Sequence, residues 1–206
     1  MDKKDAVLEE IFSSVSHGVA AIFSIGATIL LVRSGSADIW RVVGFSVFGT
    51  SMTLLYLFSC LFHSLIFTKA KKVFNQLDHI FIYLFIAASY TPVVFLSLKN
   101  LTGVLLLSAI WILAVLGMIF KSVFFGRAKK LNVAFYLLMG WIAILAIRPL
   151  WTRLPRNAFL LLGLGGMLYT IGAAIYSKGK FRFHHLVWHL FVILGSVCHF
   201  FVMFSL

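Results

Sequence analysis

Seven apolar stretches run through the chain, at about Ser13–Val32, Ile39–Phe67, Ile80–Leu98, Leu101–Phe120, Leu131–Leu150, Asn157–Tyr176 and Phe183–Leu206. Each approaches or exceeds the roughly 20 residues that a helix needs to cross a bilayer. The second is long enough to tilt or to project beyond the membrane. A soluble domain of 206 residues cannot hide a chain that is 62% hydrophobic, so composition supports the same reading. The loops are short, which makes neighbouring helices antiparallel. The expected architecture is an all-α membrane protein, a single seven-transmembrane helix bundle over residues 1–206, with nothing left for a soluble domain. No cleavable signal peptide is expected, because Met-Asp-Lys-Lys-Asp is followed by no short apolar core with a small-residue cleavage site.

A net charge of +12 raises the question of nucleic acid, and its distribution answers it. Seven spans place the amino terminus and the 2–3, 4–5 and 6–7 loops on one side. That side carries Lys3, Lys4, Lys69, Lys71, Lys72, Lys121, Arg127, Lys129, Lys130, Lys178, Lys180 and Arg182. The other side carries Arg33, Arg41, Lys99, Arg148, Arg153 and Arg156. This bias follows the positive-inside rule, so the amino terminus is expected in the cytoplasm and the carboxyl terminus outside. The expected location is the plasma membrane, the expected partners are membrane lipids, and no nucleic-acid role is expected.

Charges and imidazoles inside such a chain are costly and therefore informative. From Ile39 onward the only carboxylate is Asp78, at the start of the third apolar stretch. It reads either as a surface group balancing Lys69, Lys71 and Lys72 and favouring a helix amino terminus, or as part of a site. His185 and His189 stand four residues apart, on one helix face one turn apart, which suits two ligands of one metal ion. Ser59 and His63 repeat that spacing at the end of the second stretch. Span count and charge bias put His63, Asp78, His185 and His189 at similar depth on the cytoplasmic side.

Three imidazoles and a water suit catalytic Zn²⁺, which would lower the pKa of the water to about 7 and polarise a carbonyl. Asp78 would then serve as general base or bond the water, and Ser59 would bond the water, orient a ligand or steady an oxyanion. The alternative is that the histidines bond between helices or reach to the interface.

Other residues carry weaker signals. His17 is a partner of the site or an interfacial packing residue; His79 and His184 read as interfacial. His199 lies ten residues beyond His189, about 15 Å along the helix, too deep to share the site. Cys60 and Cys198 offer no disulfide framework, and Cys60 reads as a packing residue, its alternative being a soft ligand near His63. Pro92 is expected to free a carbonyl and bend the third helix. Gly166, Thr170 and Ala174 form a small-residue stripe suited to close packing. Trp40, Trp141 and Trp151 fit interfacial anchoring and lipid contact.

These residues resemble the haemolysin III family, the bacterial branch of the progestin and adipoQ receptor group, over nearly the whole chain. The resemblance rests on Glu9-Glu10-Ile-Phe-Ser-Ser-Val-Ser-His17-Gly18, on Ser59-x-x-x-His63, on Leu77-Asp78-His79-Ile-Phe-Ile-Tyr followed by Ala88-Ser-Tyr-Thr-Pro92, and on His185-Leu-Val-Trp-His189. It implies seven membrane helices with a cytoplasmic amino terminus, and Zn²⁺ held by His63, His185 and His189. By analogy with the related adiponectin receptors and alkaline ceramidases, Asp78 and Ser59 look like members of a hydrolytic centre acting on lipid amides. The chain departs from the family in carrying Ser13 where Asn is usual, which questions any amide-mediated contact there.

Three functions compete. The first is a zinc-dependent membrane hydrolase that cleaves an amide or ester in a lipid near the cytoplasmic leaflet and serves membrane lipid homeostasis. The second is a receptor or sensor of membrane state with structural zinc and no turnover. The third is a pore-forming haemolysin, disfavoured because the spans lack the polar stripe of a water-filled channel.

Overall fold

The computed structural model describes residues 3–124 and 129–206; Arg127, which enters the charge pattern, lies outside the described residues. Helices α1 (Lys3–Ser34), α2 (Ile39–Ser64), α3 (Lys71–Ser97), α4 (Leu101–Val123), α5 (Lys129–Trp141), α6 (Ile147–Arg153), α7 (Arg156–Lys178) and α8 (His184–Phe204) follow in order, with a 3-10 segment Ile142–Ala146 between α5 and α6. Among the described residues seven helical segments are long and apolar enough to cross a membrane, Leu131–Arg153 counting as one. The protein is a seven-helix, multi-pass membrane protein.

Local chemistry sets several boundaries. Asp38, extended before α2, accepts from the Trp40 N–H at 2.8 Å, and Asn100 accepts from Gly103 N–H at 3.0 Å before α4. Both satisfy donors that a helix start leaves unpaired. Helices α1 to α4 pack in chain order, α5 bridges α4 and α7, α7 pairs with α8, and α8 closes the ring against α1. Polar side chains such as Ser13, His17, Ser59 and His189 are buried inside, while Ile22, Phe23 and Leu145 are exposed on the outside. This inversion of the soluble pattern fits a hydrocarbon solvent.

The observed helices outrun the apolar stretches at several ends. α1 begins at Lys3 and α3 at Lys71, because charged residues that end an apolar run still prolong a helix whose side chains reach toward water. Asp78 is therefore not at a helix start. It lies about two turns inside α3, buried at 8% exposure, so the helix-terminus explanation does not apply. α3 stays continuous through Pro92, whose ring packs against Gly44 of α2.

The fifth apolar stretch is not one helix. Pro149 lacks an N–H and its ring excludes the carbonyl four residues earlier, so α6 starts afresh just before it. The break upstream is held open by Tyr90 of α3: its hydroxyl donates to Gly140 O at 2.7 Å and accepts from Ala143 N–H at 3.2 Å. A side chain inserted into a helical ladder is one of the few ways to satisfy broken backbone inside a membrane. Trp141 consequently sits midway along its span rather than at an interface, and its indole N–H donates to Thr170 Oγ1 at 2.9 Å. Gly166 also faces Trp141, whereas Ala174 of the same stripe is exposed. The glycines on which α8 lies closest are Gly165 and Gly172, against His199 and Trp188.

Candidate metal centre

The last turn of α2 and the first turns of α8 meet at one end of the bundle. There His63, His185 and His189 form a group whose candidate ligand atoms all lie within 4.8 Å of one another. The rings stand edge to face, with centroids 4.8 to 4.9 Å apart. His63 and His189 are buried and His185 half-buried. His63 Nε2 and His189 Nδ1 are buried without a partner in the protein. Orphaned nitrogens are expensive in an apolar interior, and a cation they coordinate would satisfy them. The three residues therefore fit a metal ion.

Two carboxylates from α1 organise this group. Glu10 Oε2 lies 2.5 Å from His63 Nδ1, while its other oxygen faces Lys71 Nζ at 3.5 Å. With Nδ1 so engaged, Nε2 is the nitrogen left to face the cluster, the carboxylate–histidine arrangement common behind metal ligands. Glu9 does something different. Its Oε1 accepts from the backbone N–H of His185 at 3.0 Å. The residue before α8, Phe183, is left-handed at φ 62° and makes no side-chain cap, so a carboxylate from another helix supplies the missing acceptor and a charge that suits the helix amino terminus.

His17 lies flat on His189, centroids 3.7 Å apart and planes 6° from parallel, with both its nitrogens buried and unpartnered. It is thus a partner of the site by stacking, not an interfacial residue. Ser13 is fully buried and its hydroxyl has no partner. Cys60 packs against Gly18 and within reach of Ser14, outside the histidine group. His184 bonds Phe181 O at 3.1 Å, and His79 bonds Asn75 O at 2.9 Å.

Asp78 and Ser59 reach the site through a cavity of about 240 Å³, whose wall they share with His17, His185 and His189. Ser59 is fully buried and its hydroxyl is unpartnered; Asp78 Oδ2 lies 3.6 Å from His79 Nδ1. Away from this polar end the cavity is apolar and runs between α3, α5 and α7. Gly140, Trp141, Ile144 and Gly163 line it and are also exposed on the outer face of the bundle. The cavity thus opens sideways, toward lipid. A second, smaller cavity of about 120 Å³ beside the histidines has Glu9, Glu10, Ser13, His63 and His185 in its wall.

Sequence reasoning brings together His63, Asp78, His185 and His189 and leaves Glu9 and Glu10 without a role. A signal was present: adjacent carboxylates two turns before a membrane histidine have to be satisfied by something, and the histidines are the available partners.

Comparison with known proteins agrees with this picture. A family profile described as Haemolysin-III related matches residues 6–200. The chain is 46% identical to Hemolysin-3 of Bacillus cereus over 199 residues, covering 95% of this chain and 90% of that one. It is 42% identical to the Hemolysin-3 homolog of Bacillus subtilis (strain 168), with 95% and 92% covered. A more distant similarity, 27% identity over 98% of this chain and 86% of the other, links it to the human Monocyte to macrophage differentiation factor. By profile and by relatives alike, the chain belongs to the haemolysin-III related family.

Proposed function

We propose that this protein is a zinc-dependent hydrolase of a membrane lipid, cleaving an amide or ester near the cytoplasmic leaflet. The observation that carries the reading is the His63, His185 and His189 group, two of whose members, His185 and His189, line the polar end of a cavity that also presents Asp78 and Ser59 and opens toward lipid. An all-imidazole set with room for a further ligand is a zinc donor set of the catalytic kind. The charge bias of the loops supports a cytoplasmic position for this end of the bundle.

Lipid enters sideways with its chain in the apolar cavity, which sets its carbonyl among the polar residues. Bound zinc would supply Lewis acidity toward the carbonyl and acidify water. Asp78 accepts the proton of the attacking water at its carboxylate and returns it to the leaving nitrogen or oxygen. The Ser59 hydroxyl donates to the developing oxyanion. Glu10 holds the His63 tautomer, and the smaller polar cavity beside it admits water.

The test is a purified sample assayed for metal and for turnover of ceramides and phospholipids. Wild type should contain zinc and release fatty acid; Asp78→Asn should keep the metal and lose turnover. Zinc without turnover across the panel would favour the sensor reading, in which the same cavity binds lipid and the metal only braces α2 against α8. Undiminished zinc in both His63→Ala and His189→Ala would reject the ligand set.

A further inference from the structure

The lipid cavity has a second polar station far from the histidine group. His199 of α8 lines the cavity at only 8% exposure. Both of its ring nitrogens are buried and make no hydrogen bond in the protein. It stands ten residues beyond His189, about 15 Å further along the helix axis. Its edge rests on Gly165, and the ring of Tyr169 stands perpendicular to it at 5.4 Å. Small and aromatic neighbours hold the imidazole in place without satisfying it.

Other polar groups along this part of the wall are already paired. Tyr90 bonds the backbone of the broken fifth span. Tyr169 bonds Ser196 at 3.0 Å. Thr170 donates to Gly166 O and accepts from Trp141, and Ser89 donates to Ile86 O. His199 differs from all four. A neutral imidazole offers one donor and one acceptor, so it can pair with a hydroxyl in either sense. A chain of plain methylenes would leave it unpaired.

The geometry points to His199 as a recognition site for a hydroxyl group carried partway along the acyl chain of the bound lipid. The ligand class is a hydroxylated long-chain acid or its amide or ester, its carboxyl end at the histidine group and its chain hydroxyl at His199. This rests on the reading of the cavity as a lipid site but not on turnover, since binding alone is required.

The test compares stearate with a hydroxystearate bearing its hydroxyl at mid-chain, by equilibrium binding of each radiolabelled acid to the full chain purified in detergent. Wild type should bind the hydroxylated acid about tenfold more tightly, a difference of about 1.4 kcal/mol. His199→Leu should erase that preference, with stearate bound at least as tightly as by wild type because no imidazole is left unpaired beside its chain. His199→Asn, which keeps a donor and an acceptor, should retain part of it. Zinc content and melting temperature of each variant report folding. Equal affinities in wild type, or a preference that survives in folded His199→Leu, would overturn the assignment while leaving the lipid cavity intact. Binding of neither acid would overturn the assignment and the lipid reading together.

Discussion

The Glu10 carboxylate meets Nδ1 of His63 at 2.5 Å and so decides which nitrogen of that imidazole faces His185 and His189. A membrane-embedded histidine free to flip would present either nitrogen. The bond removes that freedom before any ion arrives, and Lys71 at 3.5 Å holds the other carboxylate oxygen in place. Glu10→Gln keeps the shape but loses the anionic acceptor. Loss of such a supporting carboxylate lowers metal affinity by about 10- to 100-fold. Competition against a chelator of known affinity measures it, with His63→Ala as the variant expected to lose the metal outright.

Glu9 predicts a different phenotype from its neighbour. Its oxygen accepts from His185 N–H at the second residue of α8, the donor that a capping side chain ordinarily takes. Glu9→Ala leaves this partly buried N–H without its acceptor and should cost about 1 kcal/mol of stability. Thermal unfolding without metal separates the two residues: Glu9→Ala should lower the midpoint there, whereas Glu10→Gln should act mainly on the metal-loaded form. Equal losses in the metal-free protein would show that both carboxylates serve only the fold.

Much of this arrangement was legible in the chain. Apolar runs near bilayer length fix the number of spans, and antiparallel alternation carries His63 of α2 and His185 of α8 to the same end. Glu9 and Glu10 were not legible, because a carboxylate's partner lies across the bundle and no spacing in the sequence reveals it. The broken fifth span was hidden for a similar reason. Asn132, Arg148 and the helix-restarting Pro149 mark only its ends, and what holds the break open in its apolar middle is the hydroxyl of Tyr90, some fifty residues earlier. The helix ends were misjudged where charged residues such as Lys71 extend a helix past its apolar run.

Tyr90 therefore makes a prediction about architecture. Its hydroxyl satisfies Gly140 O and Ala143 N–H at the break. Tyr90→Phe keeps the ring and strands these backbone groups where little water is present to replace it. The expected cost is about 1–3 kcal/mol, the penalty for a buried polar group left unsatisfied. Hydrogen exchange should rise locally at residues 140–146, with metal content unchanged. Protection there equal to wild type would mean that the 3-10 segment needs no help from α3.

The sideways opening can be closed without disturbing the fold. Gly163 lines the cavity, is exposed on the outer face of α7, and a side chain added there would meet nothing within 4 Å. Most glycines in this bundle are different: at Gly172 an added carbon runs into Trp188 and Phe191. Gly163→Trp should therefore be tolerated, since tryptophan is also a better helix former than the glycine it replaces. The indole would then fill the mouth between the fifth and sixth spans. Lipid binding should slow by about tenfold or more, as expected when entry requires a conformational change, while metal affinity stays at the wild-type value. Gly172→Trp is the matching control, expected to unfold the protein rather than block it. If Gly163→Trp binds lipid at the wild-type rate, entry runs by another path, and the break in the fifth span serves the fold alone.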